Sequence, residues 1–389
     1  MSVTAAEGFV AGGGSAGIKA NDALDVAVVA TTDGRAVPAA GVFTSNLAAA
    51  APVQVSRAHL SSTGGRAAGV ILTSGNANAA TGQPGRHAAR RLCSVVGERI
   101  GATAEEVLIC QTGLIGIPFP IDAVEPRVSG IVEARGGGAD DAARAARAIM
   151  TTDTVPKEVV VAGDGFTVGG MAKGAAMLAP NMATMLAVCT TDAAVDSVTL
   201  HTALAAAVSD SFNTITVDGC TSTNDTVLVL ASGRAASPRP DALTAALTQA
   251  CSALAEQMVD DAEGATKVAH VRVRGAESDA AAHMAARKVA DSMLVQCSLF
   301  GQDPYWGRIV SELGSAGTPF DVDRVSVAYG GVVVCAGGVA ADHDDGAVAA
   351  HMAGRYIDID CDLGLGPGRA VVLGTDLGYG YIDENKTTS

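Results

Sequence analysis

The sequence has little positive charge, and little charge of either sign. Of its 389 residues, 26 are Lys or Arg and 41 are Asp or Glu, which gives a net charge of −15 at neutral pH. This balance argues against a nucleic-acid-binding protein, which needs a basic face for the phosphates, and against binding to an anionic membrane surface. Charged residues make up only 17% of the chain and apolar residues 48%, so the sequence predicts a globular protein with a large core.

Long apolar runs and targeting signals are also absent. No stretch reaches the ~18 uninterrupted apolar residues that a membrane helix requires. The first eight residues contain neither a basic region nor a long apolar stretch, so we expect no secretory signal. The eight cysteines form no CxxC pair, and several lie in apolar runs where a thiol packs as a small core residue. We therefore expect a cytoplasmic protein with reduced, mostly buried cysteines.

Several common functional motifs are missing or out of context. There is no Walker lysine loop, no HExxH and no GxSxG elbow. Residues 12–17 match the GxGxxG pattern of dinucleotide-binding proteins, but they follow no clear strand and no acidic residue stands on a second strand about 20 residues later. In a chain with 46 glycines we interpret this match as chance. The seven histidines are far apart, and His343 lies in an acidic segment that we interpret as a solvated turn, so we predict no metal site.

Strand-like and helix-like patterns alternate along the whole chain. Such mixing of two-residue and 3.6-residue periods predicts an α/β or α+β class with layered sheets. The length fits two or three domain-sized units, but no linker marks a boundary. The Gly-rich segment 135–141 is expected to be a surface loop before a helix. Predicted strands cover 24–30, 67–72, 324–335, 356–361 and 369–373, and predicted helices cover 87–100, 140–150, 199–211 and 241–258.

One segment, residues 169–186, combines features that self-cleavage needs. It is rich in Gly, Ala and Met, carries the single lysine Lys173, and contains a Pro-Asn turn before an apolar strand. The turn presents the Thr184 hydroxyl beside its peptide bond with Ala183. That hydroxyl can attack the Ala183 carbonyl and pass the acyl group to water, and the freed amine, with a pKa of roughly 7.7–8.0, can then serve as its base. The alternative from the residues alone is a close-packed loop in which β-branched Thr184 merely opens a strand.

Residues 172–186 resemble the signature of the ornithine acetyltransferase (glutamate N-acetyltransferase) family of arginine biosynthesis. The resemblance covers nearly the whole chain, from about residue 8 to the C-terminus, because further blocks resemble the family's motifs in the family's order. It implies a layered αββα sandwich of the N-terminal-nucleophile type. These further blocks are residues 74–79, 111–116, 148–154, 218–226, 261–267 and 303–308.

The resemblance also implies a reaction and a set of roles. Thr184 would be the autocatalytic, acetyl-accepting nucleophile, and cleavage after Ala183 would give an α chain (1–183) and a β chain (184–389), assembled as an α2β2 heterotetramer. The enzyme would move an acetyl group from N2-acetyl-L-ornithine to L-glutamate, without a metal or bound cofactor, and acetyl-CoA is a co-substrate of some members. Thr112 and Gly113 would form the oxyanion hole. The substrate-binding residues would be Thr152, Lys173, Thr184, Glu263, Asn385 and Ser389.

The sequence departs from the family pattern at a few positions. Ala176 replaces a Gly beside the scissile turn, and three further motif positions, Thr73, Ala80 and Tyr305, differ from the usual residue. The tail is one residue shorter than usual, so Thr388 is an alternative to Ser389. Two other classes stay open: a self-processing hydrolase, such as an aminopeptidase, that passes the acyl group to water, and a non-catalytic binding protein of the same fold.

Overall fold

The computed structural model describes residues 2–177 and 185–387, which form two compact units. Within these residues, unit 1 comprises 2–177, 185–213 and 220–258, and unit 2 comprises 214–219 and 259–387. Both units mix strands with helices, which confirms the predicted α/β class. No helix of the described residues is long and apolar enough to cross a membrane.

Unit 1 contains two sheets and most of the helices. Its strands are β1 (Phe9–Gly14), β2 (Val26–Thr31), β3 (Val37–Phe43), β4 (Arg66–Ala67), β5 (Gly69–Asn76), β6 (Val107–Leu114), β7 (Lys157–Ala162), β8 (Thr167–Lys173), β9 (Leu186–Thr191) and β10 (Thr226–Ala231). Its helices are α1 (Ala51–Ser62), α2 (Gly82–Ile100), α3 (Ile121–Glu133), α4 (Ala139–Ala148), α5 (Ser197–Ser209) and α6 (Pro240–Asp260), the last of which ends in unit 2.

The two sheets of unit 1 pack face to face between helices. One sheet has the order β1-β2-β5-β6 and the other has the order β4-β3-β10-β9-β8-β7. Side chains from both sheets, among them Leu72, Leu108 and Val188, share one buried core. Helices α2 and α3 cover the outer face of the first sheet, while α5 packs on β3 and β10. The resulting helix, sheet, sheet and helix layers confirm the predicted αββα sandwich.

The first strand, β1, contains the glycines at the start of the GxGxxG match. Gly12, Gly13 and Gly14 lie inside β1, which pairs with β2. A Cβ atom at Gly13 would lie 2.5 Å from the carbonyl oxygen of Arg144, and one at Gly14 would lie 2.6 Å from the Ile131 side chain. The glycines therefore let helices α3 and α4 approach the strand directly, which is a packing role.

Unit 2 is one mixed sheet covered by helices. Its strands are β11 (Val268–Ala276), β12 (Ser326–Tyr329), β13 (Val332–Ala336), β14 (Val339–Ala340), β15 (Tyr356–Asp362) and β16 (Gly368–Thr375), in the order β14-β13-β12-β15-β11-β16. Its helices are α7 (Asp279–Ala290), α8 (Met293–Phe300), α9 (Trp306–Gly314), α10 (Asp345–Ala353) and α11 (Tyr379–Asn385). The predicted single strand over 324–335 is wrong, because Gly330 and Gly331 adopt φ of +56° and +82° and turn the chain into the β12–β13 hairpin.

The cysteines follow the prediction of free, mostly buried thiols. All eight are free, and only Cys220 and Cys297 are exposed. Burial raises the pKa of the Cys93 and Cys110 thiols well above the ordinary value. These two thiols therefore stay protonated and serve as core side chains.

Candidate active site

The predicted cleavage junction connects two neighbouring strands in the middle of a sheet. β9 lies between β8 and β10, with Leu186 opposite Lys173 on one side and opposite Thr226 on the other. The junction itself is not described. Ala183, Thr184, Thr388 and Ser389 all lie outside the described residues.

Lys173, at the end of β8, forms an ion pair with a buried aspartate. Its Nζ lies 3.7 Å from Oδ2 of Asp153, and its side chain is only 10% exposed. Asp153 Oδ1 accepts hydrogen bonds from Lys157 Nζ at 2.8 Å and from the Gly174 N–H at 2.7 Å. Asp153 thus anchors both the end of β8 and the segment after it. The predicted binding residue Thr152 is exposed immediately beside it.

The charges around Asp153 fix its ionisation state. Burial alone would raise its pKa, but the positive charges of Lys173 and Lys157 and the hydrogen bonds it accepts hold that pKa below its usual range. Asp153 is therefore a carboxylate at neutral pH. Two lysine side chains, those of Lys157 and Lys173, pair with this one carboxylate.

A third lysine adds to this positive cluster. Lys19 Nζ donates to the carbonyl oxygens of Leu24 and Met150, at 2.8 and 2.6 Å. Burial lowers the pKa of Lys19 against the opposing charge of Asp25, and the charge of Lys173 lowers it further. Lys19, Lys157 and Lys173 thus lie near the buried carboxylates of Asp25 and Asp153.

The predicted oxyanion residues lie at the end of β6, where it runs parallel to β5. Gly113 has φ of +127° and pairs with Gly75, whose φ is +106°. A Cβ at Gly113 would lie 2.3 Å from the Gly75 carbonyl carbon, so only glycine fits. Thr112 is half-buried, Gly113 is exposed, and both belong to the strand end itself, not to a turn after it. Their oxyanion role stays a prediction.

Buried amides connect the motif blocks of unit 1. Asn78 Nδ2 donates to Oε1 of Gln111 at 2.8 Å, and Asn224 Nδ2 donates to the backbone carbonyl of Gln111 at 2.8 Å. The Ser74 hydroxyl donates to the carbonyl of Ala148 at 2.6 Å. Residues from four blocks that are far apart in sequence thus meet around the end of β6. Each buried amide is paired, as a rigid polar site requires.

The residue after the predicted junction is held from both sides. The Met185 N–H donates to Oδ1 of Asp225 at 2.7 Å, and the Met185 carbonyl accepts from the Thr226 N–H at 3.0 Å. Asp225 is almost completely buried. The start of β9 is therefore fixed by the residues that open β10.

In unit 2 the structure brings together two further predicted residues. Asn385, in α11, donates from Nδ2 to Oε2 of Glu263 at 2.8 Å. Glu263 is buried although it lies in a turn. Gly264 follows it, and a Cβ there would lie 2.1 Å from the Tyr381 nitrogen, so the glycine lets α11 pack on this turn. Glu263 and Asn385 are thus in direct contact, and their substrate-binding role stays a prediction.

Sequence reasoning missed several residues that build the site. Asp153 and Asp225 lie within recognised blocks, but their roles depend on Lys173 and Met185, which are distant in sequence. Lys19 lies in no recognised block. In the part of the chain that the structure describes, no group of three or more His, Cys, Asp or Glu side chains is arranged to hold a metal ion.

Comparison with known proteins gives matches along the full chain. The ArgJ family matches residues 10–388. The arginine biosynthesis bifunctional protein ArgJ of Mycolicibacterium paratuberculosis is 47% identical over 394 residues, covering 100% of this chain and 96% of that protein. The protein of the same name from Streptomyces avermitilis is 44% identical over 395 residues, covering 100% of this chain and 100% of that protein.

Solved structures also show similarity. The crystal structure of ornithine acetyltransferase from Mycobacterium tuberculosis, complexed with ornithine, is 44% identical to this chain. It matches 46% of this chain and 95% of that chain, with a TM-score of 0.44.

Proposed function

Because the chain belongs to the ArgJ family, we propose that it is a self-cleaving acetyltransferase of arginine biosynthesis. It moves the acetyl group of N2-acetyl-L-ornithine to L-glutamate through an ester on Thr184. The products are L-ornithine and N-acetyl-L-glutamate. The names of its relatives, and the ornithine bound in the M. tuberculosis enzyme, support this choice of pathway and substrate.

The first reaction is the cleavage of the chain's own peptide bond. The Thr184 hydroxyl oxygen adds to the Ala183 carbonyl carbon, the carbon–nitrogen bond breaks, and the amine keeps the proton of the hydroxyl. Water then hydrolyses the new ester, which frees the Ala183 carboxylate and restores the hydroxyl. The mature Thr184 thus carries a nucleophile and a base on one residue.

The arrangement of β8, β9 and β10 is the observation that carries this proposal. Cleavage between 183 and 184 would leave β9 paired with β8, from the α chain, and with β10, from the β chain. The two chains would therefore stay joined by the sheet after the cut. The new N-terminal residue, Thr184, would immediately precede Met185, whose backbone is hydrogen-bonded to Asp225 and Thr226.

The second reaction is acetyl transfer in two steps. The Thr184 hydroxyl attacks the acetyl carbonyl while its amine takes the proton, and the same proton leaves with the ornithine amine. The amine of glutamate then attacks the ester and restores the hydroxyl. Thr112 and Gly113 would hold the oxyanion of each tetrahedral intermediate. The substrate-binding residues would be Thr152, Lys173, Thr184, Glu263, Asn385 and Ser389.

The acetyl group rides on Thr184, so we propose no metal or bound cofactor, with acetyl-CoA as a second acetyl donor. We propose a cytoplasmic enzyme assembled as an α2β2 heterotetramer. A radioactive acetyl-CoA assay with glutamate tests the second donor, and light scattering of the purified protein tests the assembly.

The mass of the denatured protein tests the central claim. Wild type should give two fragments that meet between residues 183 and 184, whereas Thr184→Ala should give one uncut chain. A matched control is Thr202→Ala, because Thr202 is exposed and, among the described residues, its hydroxyl bonds to the Val198 carbonyl of its own helix. This control should be cut like wild type.

The acetyl acceptor then distinguishes the remaining classes. Cut wild-type enzyme should release ornithine from acetylornithine only as N-acetylglutamate forms. Acetate release that does not depend on glutamate would instead identify a hydrolase. An uncut wild-type chain that transfers no acetyl group would instead indicate a non-catalytic binding protein of this fold.

A further inference from the structure

A cleft lies between the start of helix α2 and the segment that joins β6 to α3. Its volume is about 740 Å³, and its walls come from within residues 80–90 on one side and residues 116–121 on the other. Pockets that hold whole small molecules and cofactors range from about 300 to 1,000 Å³. The cleft is therefore large enough for a ligand bigger than an acetylated amino acid.

The wall formed by residues 116–121 continues directly from the predicted oxyanion segment. Gly116 follows Gly113 by three residues. The Asn76 side chain donates from Nδ2 to the carbonyls of residues 117 and 118, at 3.2 and 3.3 Å. Asn76 is also the last residue of β5, the strand that pairs with the end of β6. The cleft wall is thus fixed to the same strand ends as the oxyanion residues.

The ionisable side chains that line the cleft are all basic. His87 and Arg90 lie one turn apart on α2, and both are exposed. None of the described residues that line the cleft is Asp or Glu. Arg91 is held by Glu125 at 2.5 Å, whereas Arg90 forms no ion pair in the described part of the chain. In a chain of net charge −15, Arg90 thus offers an unpaired guanidinium to an anion such as a phosphate.

The remaining walls suit an uncharged, partly apolar chain. Pro118 and Phe119 contribute apolar surface, and Thr81 and Gln83 contribute a hydroxyl and an amide. Neither N2-acetyl-L-ornithine nor L-glutamate has a phosphate or a long arm. Acetyl-CoA has both, because its acetyl thioester ends a pantetheine arm with amide groups, and the arm leads to a nucleotide that carries phosphates. The cleft therefore matches the part of acetyl-CoA that is not transferred.

We propose that this cleft binds the pantetheine arm of acetyl-CoA and that Arg90, with His87 beside it, contacts the phosphates of the nucleotide. The inference rests on the proposed use of acetyl-CoA as a second acetyl donor. The thioester carbonyl lies at Thr112 and Gly113, and the arm runs from there along residues 116–121. In the transfer the nucleophile's oxygen forms the ester, the carbon–sulfur bond breaks, and the CoA sulfur leaves with the proton taken from the hydroxyl. The amine of glutamate then attacks the ester as it does after transfer from acetylornithine.

The variant Arg90→Gln removes the charge and keeps a polar side chain. We expect the KM for acetyl-CoA to rise roughly 10-fold, the effect of losing one hydrogen bond to a charged group. The KM and kcat for N2-acetyl-L-ornithine, which has no phosphate, should not change. This donor-specific effect separates a binding role from a general loss of stability, which would lower both activities.

Arg91→Gln is the matched control. It removes the same charge from the next position of α2, but Arg91 is paired with Glu125 and does not line the cleft. Its KM for acetyl-CoA should stay at the wild-type value. An equal rise in both variants would mean that acetyl-CoA responds only to the net charge of the protein, and the inference would be wrong. An unchanged KM in Arg90→Gln would also overturn it.

A truncated donor tests the phosphate contact itself. S-acetylpantetheine has the same thioester and arm but lacks the nucleotide and its phosphates. Wild type should use acetyl-CoA with a kcat/KM about 10-fold higher or more, and Arg90→Gln should reduce that preference. If Arg90→Gln impaired the use of both thioesters equally, Arg90 would not contact the phosphates and the assignment would fail.

Failure of this inference differs from failure of the proposed function. Wild type that transfers acetyl groups from N2-acetyl-L-ornithine but not from acetyl-CoA would refute the cleft's role and leave the main reaction intact. Wild type that is uncut, or inactive with N2-acetyl-L-ornithine, would instead contradict the proposed function.

Discussion

Neutralising Asp153 should destabilise the protein strongly and in a way that depends on its lysine partners. In Asp153→Asn the ion pair between two completely buried side chains, Asp153 and Lys157, loses its negative member. Removing one partner of a buried pair leaves an uncompensated charge, which costs about 3–5 kcal/mol of unfolding free energy. For domains of 150–250 residues, that loss lowers the melting temperature by roughly 6–20 °C.

The pH dependence of the melting temperature checks the same reasoning. The pKa of Asp153 is lower in the folded protein than in the unfolded chain. Its contribution to stability is therefore fully present above about pH 4, the pKa of an unfolded aspartate, and is lost as the pH falls further toward the folded-state pKa. Asp153→Asn should be less stable at pH 7 and should lack this part of the decline in acid.

Circular dichroism melts of four proteins would decide the matter: wild type, Asp153→Asn, Lys157→Met and the double variant. Met approximates the lysine stem without its charge, so the double variant should recover much of the stability that Asp153→Asn loses. Additive losses in the double variant would refute the claim that an unpaired buried Lys157 causes the damage.

Two further substitutions test other parts of the structure. Gly113→Ala places a Cβ 2.3 Å from the Gly75 backbone and should displace the end of β6. We expect kcat to fall by roughly 10²–10³-fold, the usual cost of one lost oxyanion donor. Wild-type rates would show that Gly113 takes no part in the mechanism. Lys267→Met removes the ammonium that donates to the carbonyls of residues 352, 353 and 354; we expect a loss of about 1–3 kcal/mol in urea unfolding, and an unchanged midpoint would contradict this assignment.

The class and layering of the fold were predictable because they depend on periodicity. Strand β2 is buried at every position and reads as a continuous apolar run. The predicted ends of helices and strands were less accurate where glycines begin or end the element. The helix predicted from His87 begins at Gly82. Its first turn packs closely on Thr81, because a Cβ atom at Gly85 would lie 2.0 Å from the Thr81 hydroxyl oxygen. A helix that starts with glycines and a proline shows no apolar period over its first turn.

Some residues of the candidate site could be found from local sequence motifs, and others only from the tertiary structure. The family blocks identify Lys173 and Glu263 from local sequence, and the structure shows both to be buried and paired. Asp153 and Asp225 could not be assigned, because Lys173, Gly174 and Met185, which contact them, are distant in sequence. A lone aspartate in a polar segment is ordinarily a surface residue, and only the tertiary structure shows that these two are enclosed.

The position of the junction in the sheet has a consequence for catalysis. β9 has a neighbour on each side, so the sheet's hydrogen bonds and the Asp225 contact to Met185 fix the chain immediately after the proposed nucleophile. A nucleophile at the end of an edge strand would lack one of these two sets of bonds. Because acyl transfer depends on placing the hydroxyl and amine within a fraction of an ångström, a central strand is the better support. Cleavage would then create the amine one residue before Met185, whose backbone N–H and carbonyl are both hydrogen-bonded.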